Sequence, residues 1–103
     1  MDINWKHADN HDLRVFNAIR KILKGYEKLL VFLFHTTEAR LTSSPKHLLE
    51  QAKCFSSREY ILIKVCLDLW DPHSGGTLLP DIVSLDRRLY LRILQAIECI
   101  YWS

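Results

Sequence analysis

The chain has 103 residues and a formal net charge of +2; about half of its residues are apolar and a quarter are charged. This balance excludes a predominantly disordered chain, and the length leaves room for one domain with one hydrophobic core. The charge is too small to indicate a dedicated nucleic-acid-binding protein, because such proteins carry a strong basic stripe.

Residues 1–10 form a predicted N-terminal arm that is mostly polar. The arm lacks the apolar segment of a secretory signal peptide, and we expect a cytoplasmic protein. Trp5 within it either docks on the core or anchors a partner, since aromatic side chains are common at the centres of interfaces. His7 and His11 have the spacing of two metal ligands on one helix face, but the glutamate of a zinc-peptidase motif is missing. We therefore predict no metal and no cofactor.

Apolar residues then recur at spacings of three and four, as in the seam of a coiled coil. They are Phe16, Ile19, Leu23, Tyr26, Leu30 and Leu33. The pattern predicts one long helix from about residue 11 to 38, capped by Asp9 or Asn10. Gly25 lies within it and costs about 1 kcal/mol relative to alanine, which marks a site for a kink. The apolar run 29–34 alone is also compatible with a buried strand, but the continuing seam favours helix.

The same seam is the predicted site of self-association. Because the segment around residues 29–34 is apolar on all sides, it must be covered on nearly every face, by other helices or by a second copy. The predicted partner-binding residues are Trp5, Phe16, Leu23, Tyr26, Leu30 and Leu33. A homodimer, or a complex with another protein, is the expected result.

The first helix also carries five basic residues, which support an alternative interpretation. They are Arg14, Arg20, Lys21, Lys24 and Lys28. Neutralisation of a few phosphates by these side chains would give weak, salt-sensitive binding to nucleic acid.

Residues 41–45 form a predicted break between two helices. Ser44 is the predicted cap and Pro45 the first residue of a helix that extends to about residue 55. Arg40 and His47 flank this turn with six residues between them. That spacing resembles the Arg/His motif of helical HEPN-type ribonucleases, and it implies a small nuclease or other hydrolase as a further alternative. The intervening Ser-Ser-Pro segment interrupts the motif, which weighs against the resemblance.

The sequence Ser56-Ser57-Arg58-Glu59 is a capping box that opens a predicted helix over 57–70. Its polar residues recur near the helical period and predict a narrow solvated stripe on a buried helix. They are Glu59, Lys64, Asp68 and Asp71. A loop with Pro72 and two glycines ends this helix. Asp71 and His73 within the loop form a candidate acid–imidazole pair, or a simple turn.

After a short turn over 77–83, a last helix is predicted over 85–101, with Leu94 and Tyr101 on its apolar side. Tyr101 and Trp102 predict a C-terminus packed against the core. Leu78, Leu79, Ile82 and Val83 form a second candidate apolar patch. The cysteines, at positions 54, 66 and 99, fit a reduced state because they are odd in number and lie in apolar helical patterns.

Together these patterns predict an all-α fold, a compact bundle of four to five helices in a single domain over 1–103. The helices at 57–70 and 85–101 are expected to form an antiparallel hairpin, with 57–70 between the other two long helices. Neither a nucleophile motif nor a phosphate-binding loop is present in the sequence. We therefore predict a non-enzymatic protein-interaction or regulatory module.

Overall fold

Polar caps in the sequence set where four of the described helices begin. We describe the fold from a computed structural model of residues 3, 5 and 8–102. Its side-chain caps accept backbone N–H groups as follows: Asp9 from Asp12 (2.7 Å), Ser44 from His47 (3.3 Å), Ser56 from Glu59 (3.2 Å) and Asp86 from Leu89 (3.0 Å). Each satisfies an amide that has no partner within its own helix. The predicted cap at Ser44 and capping box at 56–59 are confirmed.

The all-α prediction is confirmed. The described part of the chain contains six α-helices: α1 (Asn10–Ile22), α2 (Glu27–Leu33), α3 (Pro45–Gln51), α4 (Ser57–Trp70), α5 (Leu79–Val83) and α6 (Arg87–Tyr101). A 3-10 turn at Ala52–Cys54 extends α3. The β-type pairing within these residues is a single bridge between Phe34 and Leu41. None of the described helices is both long and apolar enough to cross a membrane.

The prediction of one continuous helix over 11–38 is wrong. Helix α1 ends at Ile22 because Gly25 has a φ of +92°, a conformation that a right-handed helix does not contain. The Glu27 carboxylate accepts the Gly25 N–H at 3.3 Å and stabilises the turn. Helix α2 then ends at Leu33, and the chain continues extended through Phe34. The apolar run 29–34 is thus mainly helical, as the seam indicated.

Trp5 docks on the core. Its indole N–H donates to the His35 carbonyl at 2.8 Å, and its ring centroid lies 4.1 Å from that of Phe16 and 5.7 Å from that of Trp70. Phe34 completes the cluster, 5.0 Å from Trp70. The first of the two interpretations of Trp5 is therefore the one the structure supports.

Helix α1, and not α4, makes close backbone contacts with both other long helices. It packs most extensively on α6. Arg92 of α6 donates to the carbonyls of Ile22 (3.3 Å) and Lys24 (2.8 Å) at the end of α1, and Ala18, a turn earlier, shares a groove with Cys99. The two helices therefore run antiparallel. The predicted position of the 57–70 helix, between the other two, is wrong.

The antiparallel hairpin predicted for α4 and α6 is also wrong. Arg58 in the first turn of α4 approaches Asp86, the cap of α6, at 4.0 Å, and further along Val65 and Leu69 face Ile93 and Ile97 across a shallow recess. Both helices therefore start at the same end of the molecule and run in the same direction. The reason is the connection over 71–86, which returns along α4 before α6 begins.

Candidate functional site

Two polar side chains of α4 hold the returning connection. The Asp68 carboxylate accepts the N–H groups of Gly75 (2.7 Å) and Thr77 (2.8 Å). The Lys64 ammonium donates to Asp81 of α5 at 2.8 Å, and this pair is mostly shielded from solvent. The stripe predicted as solvated is thus covered at Lys64 and Asp68, because the connection packs over it. Lys64 and Asp68 together hold the connection and α5 against α4.

The anchored turn depends on glycine at one position. A β-carbon on the buried Gly75 would lie 2.0 Å from the Lys64 carbonyl oxygen, so any side chain would push the loop away from α4. Gly76 and His73 have positive φ angles of 67° and 73°, which reverse the chain direction over a few residues. The loop therefore lies against α4 in one defined conformation.

Both anchoring carboxyls titrate below their ordinary range. Burial alone raises the pKa of Asp68, but hydrogen bonds from Thr77 and from the Gly75 and Gly76 backbone outweigh it and lower the pKa. The hydrogen bond from Lys64 lowers the pKa of Asp81, and the Leu78 N–H adds to this effect. Both groups are ionised at neutral pH, so the connection is held by charge-assisted hydrogen bonds.

Beyond this anchor, α5 and α6 present large apolar side chains to solvent. On α5 and its cap, Leu78, Leu79 and Val83 are 63%, 78% and 69% exposed, in agreement with the predicted second apolar patch. On α6 and just after it, the exposed residues are Leu91, Leu94, Tyr101 and Trp102. We call these seven residues the α5–α6 surface. The predicted packed C-terminus is wrong, since Trp102 is 79% exposed.

Two shallow recesses are lined by residues of both helices. Ile82 of α5 lines a recess of about 120 Å³ together with Ile93 and Ile97 of α6. Val83 lines a second recess with Leu85 and Tyr90. Among the described residues, Leu13 and Val31 are exposed to nearly the same extent as Leu94 (37%, 36% and 38%), but they lie on α1 and α2. An apolar surface formed jointly by two helices is unusual for a monomer, in which such residues are normally scattered.

The residues predicted to bind a partner are parts of the core instead. Phe16, Leu23, Leu30 and Leu33 are all buried within the single chain, and Tyr26 is half-buried against the same core. The half-buried Trp5 belongs to the aromatic cluster. The chain's own α4 and α6 cover the seam, which is therefore not available to a second copy in this fold.

The five basic residues of the nucleic-acid alternative are all exposed, and three of them, Arg20, Lys21 and Lys24, line one recess together with Glu27. Lys28 pairs with Glu59 at 2.7 Å, and the Arg20 guanidinium lies 5.8 Å from the Phe16 ring centroid. Lys21 shares a groove with Arg92, and Lys24 offers its carbonyl to Arg92. Arg14 is exposed nearer the start of α1. Sequence reasoning missed Arg92, which belongs to a different helix and joins this group through the packing of α1 on α6.

Among the described residues, no hydrogen bond or ion pair joins Arg40 to His47 or Asp71 to His73. Arg40 pairs with Glu38, while His47 lies in the first turn of α3, where its backbone N–H donates to Ser44. Asp71 ends α4, and the nearby His73 is exposed. Within the described residues no three His, Cys, Asp or Glu side chains are grouped to hold a metal ion. The His7–His11 pattern lies partly outside those residues, because His7 is not described.

The α5–α6 surface is therefore the candidate functional site. Sequence reasoning found its α5 part, because an apolar run beside a Pro-Gly-Gly loop stands out. It missed Leu91 and placed Leu94 and Tyr101 on the core side of α6. No protein-family model, no curated protein and no solved structure matches this chain.

Proposed function

We propose that this chain is a non-enzymatic protein-interaction module of the cytoplasm, which binds its partner through the α5–α6 surface. The observation that carries the proposal is the exposure of Leu78, Leu79 and Val83 on a helix that is itself fixed. A contiguous apolar surface of this kind is typical of protein–protein interfaces.

The anchoring of α5 supports a binding role over incomplete folding. The Lys64–Asp81 ion pair and the Asp68 hydrogen bonds hold the connection against α4. Leu79 and Val83 therefore point outward from a defined backbone. A partner that binds such a preorganised surface loses little conformational freedom in the chain, which favours affinity.

The experiment compares capture of proteins from the native host by three forms of the chain. The first is the wild-type chain, the second carries Leu79→Ser with Val83→Ser, and the third carries Leu13→Ser, an exposed leucine on α1. We expect the wild type and the Leu13→Ser control to retain the same protein and the α5 double variant to lose it. Equal retention by all three forms would contradict the proposal.

Binding of nucleic acid by the basic side of α1 is the second candidate. It is supported by the recess that Arg20, Lys21 and Lys24 line together, and by Arg92, which lines a groove with Lys21. This function predicts that affinity for single-stranded RNA falls steeply as salt rises, and that Lys21→Glu with Lys24→Glu abolishes binding. Binding that is independent of salt would exclude it.

A further inference from the structure

The outward face of α6 carries a second seam, opposite the one that packs on the core. Arg87, Leu91, Leu94 and Glu98 follow one another at spacings of four, three and four, and all four side chains are exposed. At about 100° per residue they lie on one stripe of the helix. The buried residues Leu89, Ile93, Ala96 and Ile100 form the opposite stripe.

The two ends of this outward seam carry opposite charges, Arg87 at one end and Glu98 at the other. Two copies of the seam can therefore attract each other. Suppose that a second copy of α6 lies antiparallel on the first, with a twofold axis midway between residues 91 and 94. Leu91 of each copy then faces Leu94 of the other, and Arg87 of each faces Glu98 of the other. The symmetry forms every contact twice. A parallel arrangement would instead place Arg87 beside Arg87 and Glu98 beside Glu98, and such like-charge contacts are unfavourable.

The same arrangement also reaches Val83 and the exposed C-terminal residues of the α5–α6 surface. In this register, Tyr101 of one copy lies opposite residue 84 of the other, next to Val83 of α5. The exposed C-terminal aromatic residues would therefore pack on the exposed end of α5 in the second copy. This extension matters because α6 is only about 22 Å long, and a stable interface usually buries roughly 800 Å² on each partner.

We propose that the partner bound by the α5–α6 surface is a second copy of this chain, in an antiparallel dimer centred between Leu91 and Leu94. The inference rests on the proposed function of this surface and specifies its occupant. It also replaces the internal seam of α1 and α2 as the site of self-association, because the outward seam is accessible and the internal one is not.

The test is a charge-exchange cycle measured by sedimentation equilibrium over a range of concentrations. Arg87→Glu and Glu98→Arg are each expected to weaken dimerisation by about tenfold, because each replaces two attractive pairs with two repulsive ones. The double variant should return to wild-type affinity. Lys46→Glu on α3 is the matched charge-reversal control and should leave the dimer unchanged.

Loss of helix does not provide an alternative explanation for the single variants. Arg87 lies in the first turn of α6 and Glu98 in its last turn, so a glutamate at the first position and an arginine at the second both suit the helix dipole. Circular dichroism should show unchanged helix content in every variant.

The outcomes separate the dimer from the broader proposal. A wild-type chain that stays monomeric at high concentration overturns the dimer, as does a double variant that fails to recover. If the chain is monomeric while the α5 double variant still loses a captured protein, the surface serves a different partner and the proposed function stands. If neither dimer nor capture is observed, both proposals fail.

Discussion

The two faces of α6 have the same spacing of residues and opposite environments. The inner face, with Leu89, Ile93, Ala96 and Ile100, is buried and packs on α1. The outer face has Leu91 and Leu94 at its centre. Each lies only one or two positions along the chain from an inner-face residue, yet both are exposed to solvent. Spacing determines which residues share a face of a helix, whereas it does not determine what covers that face.

The seam of the first two helices shows the same limit of spacing. The seam of α1 and α2 has the longest apolar pattern in the chain, and that length suggested a second copy as its cover. The chain covers it internally, because the connection over 71–86 lets α4 and α6 run parallel to each other while both pack on α1. The shorter outward seam of α6 was obscured, because Leu94 and Tyr101 are one residue away from core positions.

The inner and outer faces of α6 should contribute very different amounts to the free energy of unfolding. Ile93→Ala removes a fully enclosed side chain, and we expect it to lower the free energy of unfolding by about 2 to 5 kcal/mol. Leu91→Ala, on the outer face, should change it by no more than about 0.5 kcal/mol in the monomer. Urea unfolding at low protein concentration, followed by circular dichroism, measures both values. Similar losses for the two variants would show that the outer face is also part of the core.

Much of the local structure could be predicted from the sequence, since its signals are short in range. The Ser44–Pro45 helix start, the capping box at 56–59 and the all-α class each depend on residues within a few positions of one another. The turn after α1 was only indicated, by Gly25. A seam that remains in phase across a break has the same spacing as one without a break, so the pattern did not distinguish two helices from one.

The long-range arrangement could not be predicted, because it depends on contacts between distant segments. Lys64 and Asp68 gave the pattern of a solvated stripe, and only the returning loop makes them anchors for Asp81 and Gly75. The direction of α6 relative to α4 follows from this loop. The exposed part of the site depends on the same contacts, since they decide which apolar residues remain outside the core.

A third face of α6 lies between the inner and outer faces and carries Arg92. Arg92 closes the end of α1 through the carbonyls of Ile22 and Lys24, so Arg92→Met should lower the free energy of unfolding by roughly 1 to 2 kcal/mol. Arg88→Met, one turn earlier and exposed, is the matched control and should have an effect below about 0.5 kcal/mol. Thermal unfolding of both variants measures the two losses of stability. An unchanged melting temperature for Arg92→Met would mean that water caps α1 equally well.

The smallest predicted effect concerns Asp68, which holds the connection before α5 against α4. Asp68→Asn keeps the shape of the side chain but removes its charge and replaces one of its two acceptor oxygens with an amide nitrogen. The variant can then accept only one of the N–H groups of Gly75 and Thr77, and we expect a loss of about 1 kcal/mol at neutral pH. Because the folded state lowers the pKa of Asp68 below its ordinary 3.8, the folded chain binds fewer protons there than the unfolded chain. The contribution of the carboxylate is therefore present above that value and is lost as the pH falls through the lowered pKa.

The difference in stability between wild type and Asp68→Asn should accordingly shrink on acidification. Urea unfolding midpoints measured from neutral pH to below 3.8 follow this change. Asp71→Asn is the control, since Asp71 is exposed at the end of α4 and should show no such convergence. A difference that stays constant with pH would mean that the ionisation of Asp68 contributes nothing, and that the variant loses only the acceptor that its amide nitrogen replaces. In that case the fixed position of α5, and with it the preorganised state of the outer surface, would depend mainly on the Lys64–Asp81 pair and on the close fit of Gly75.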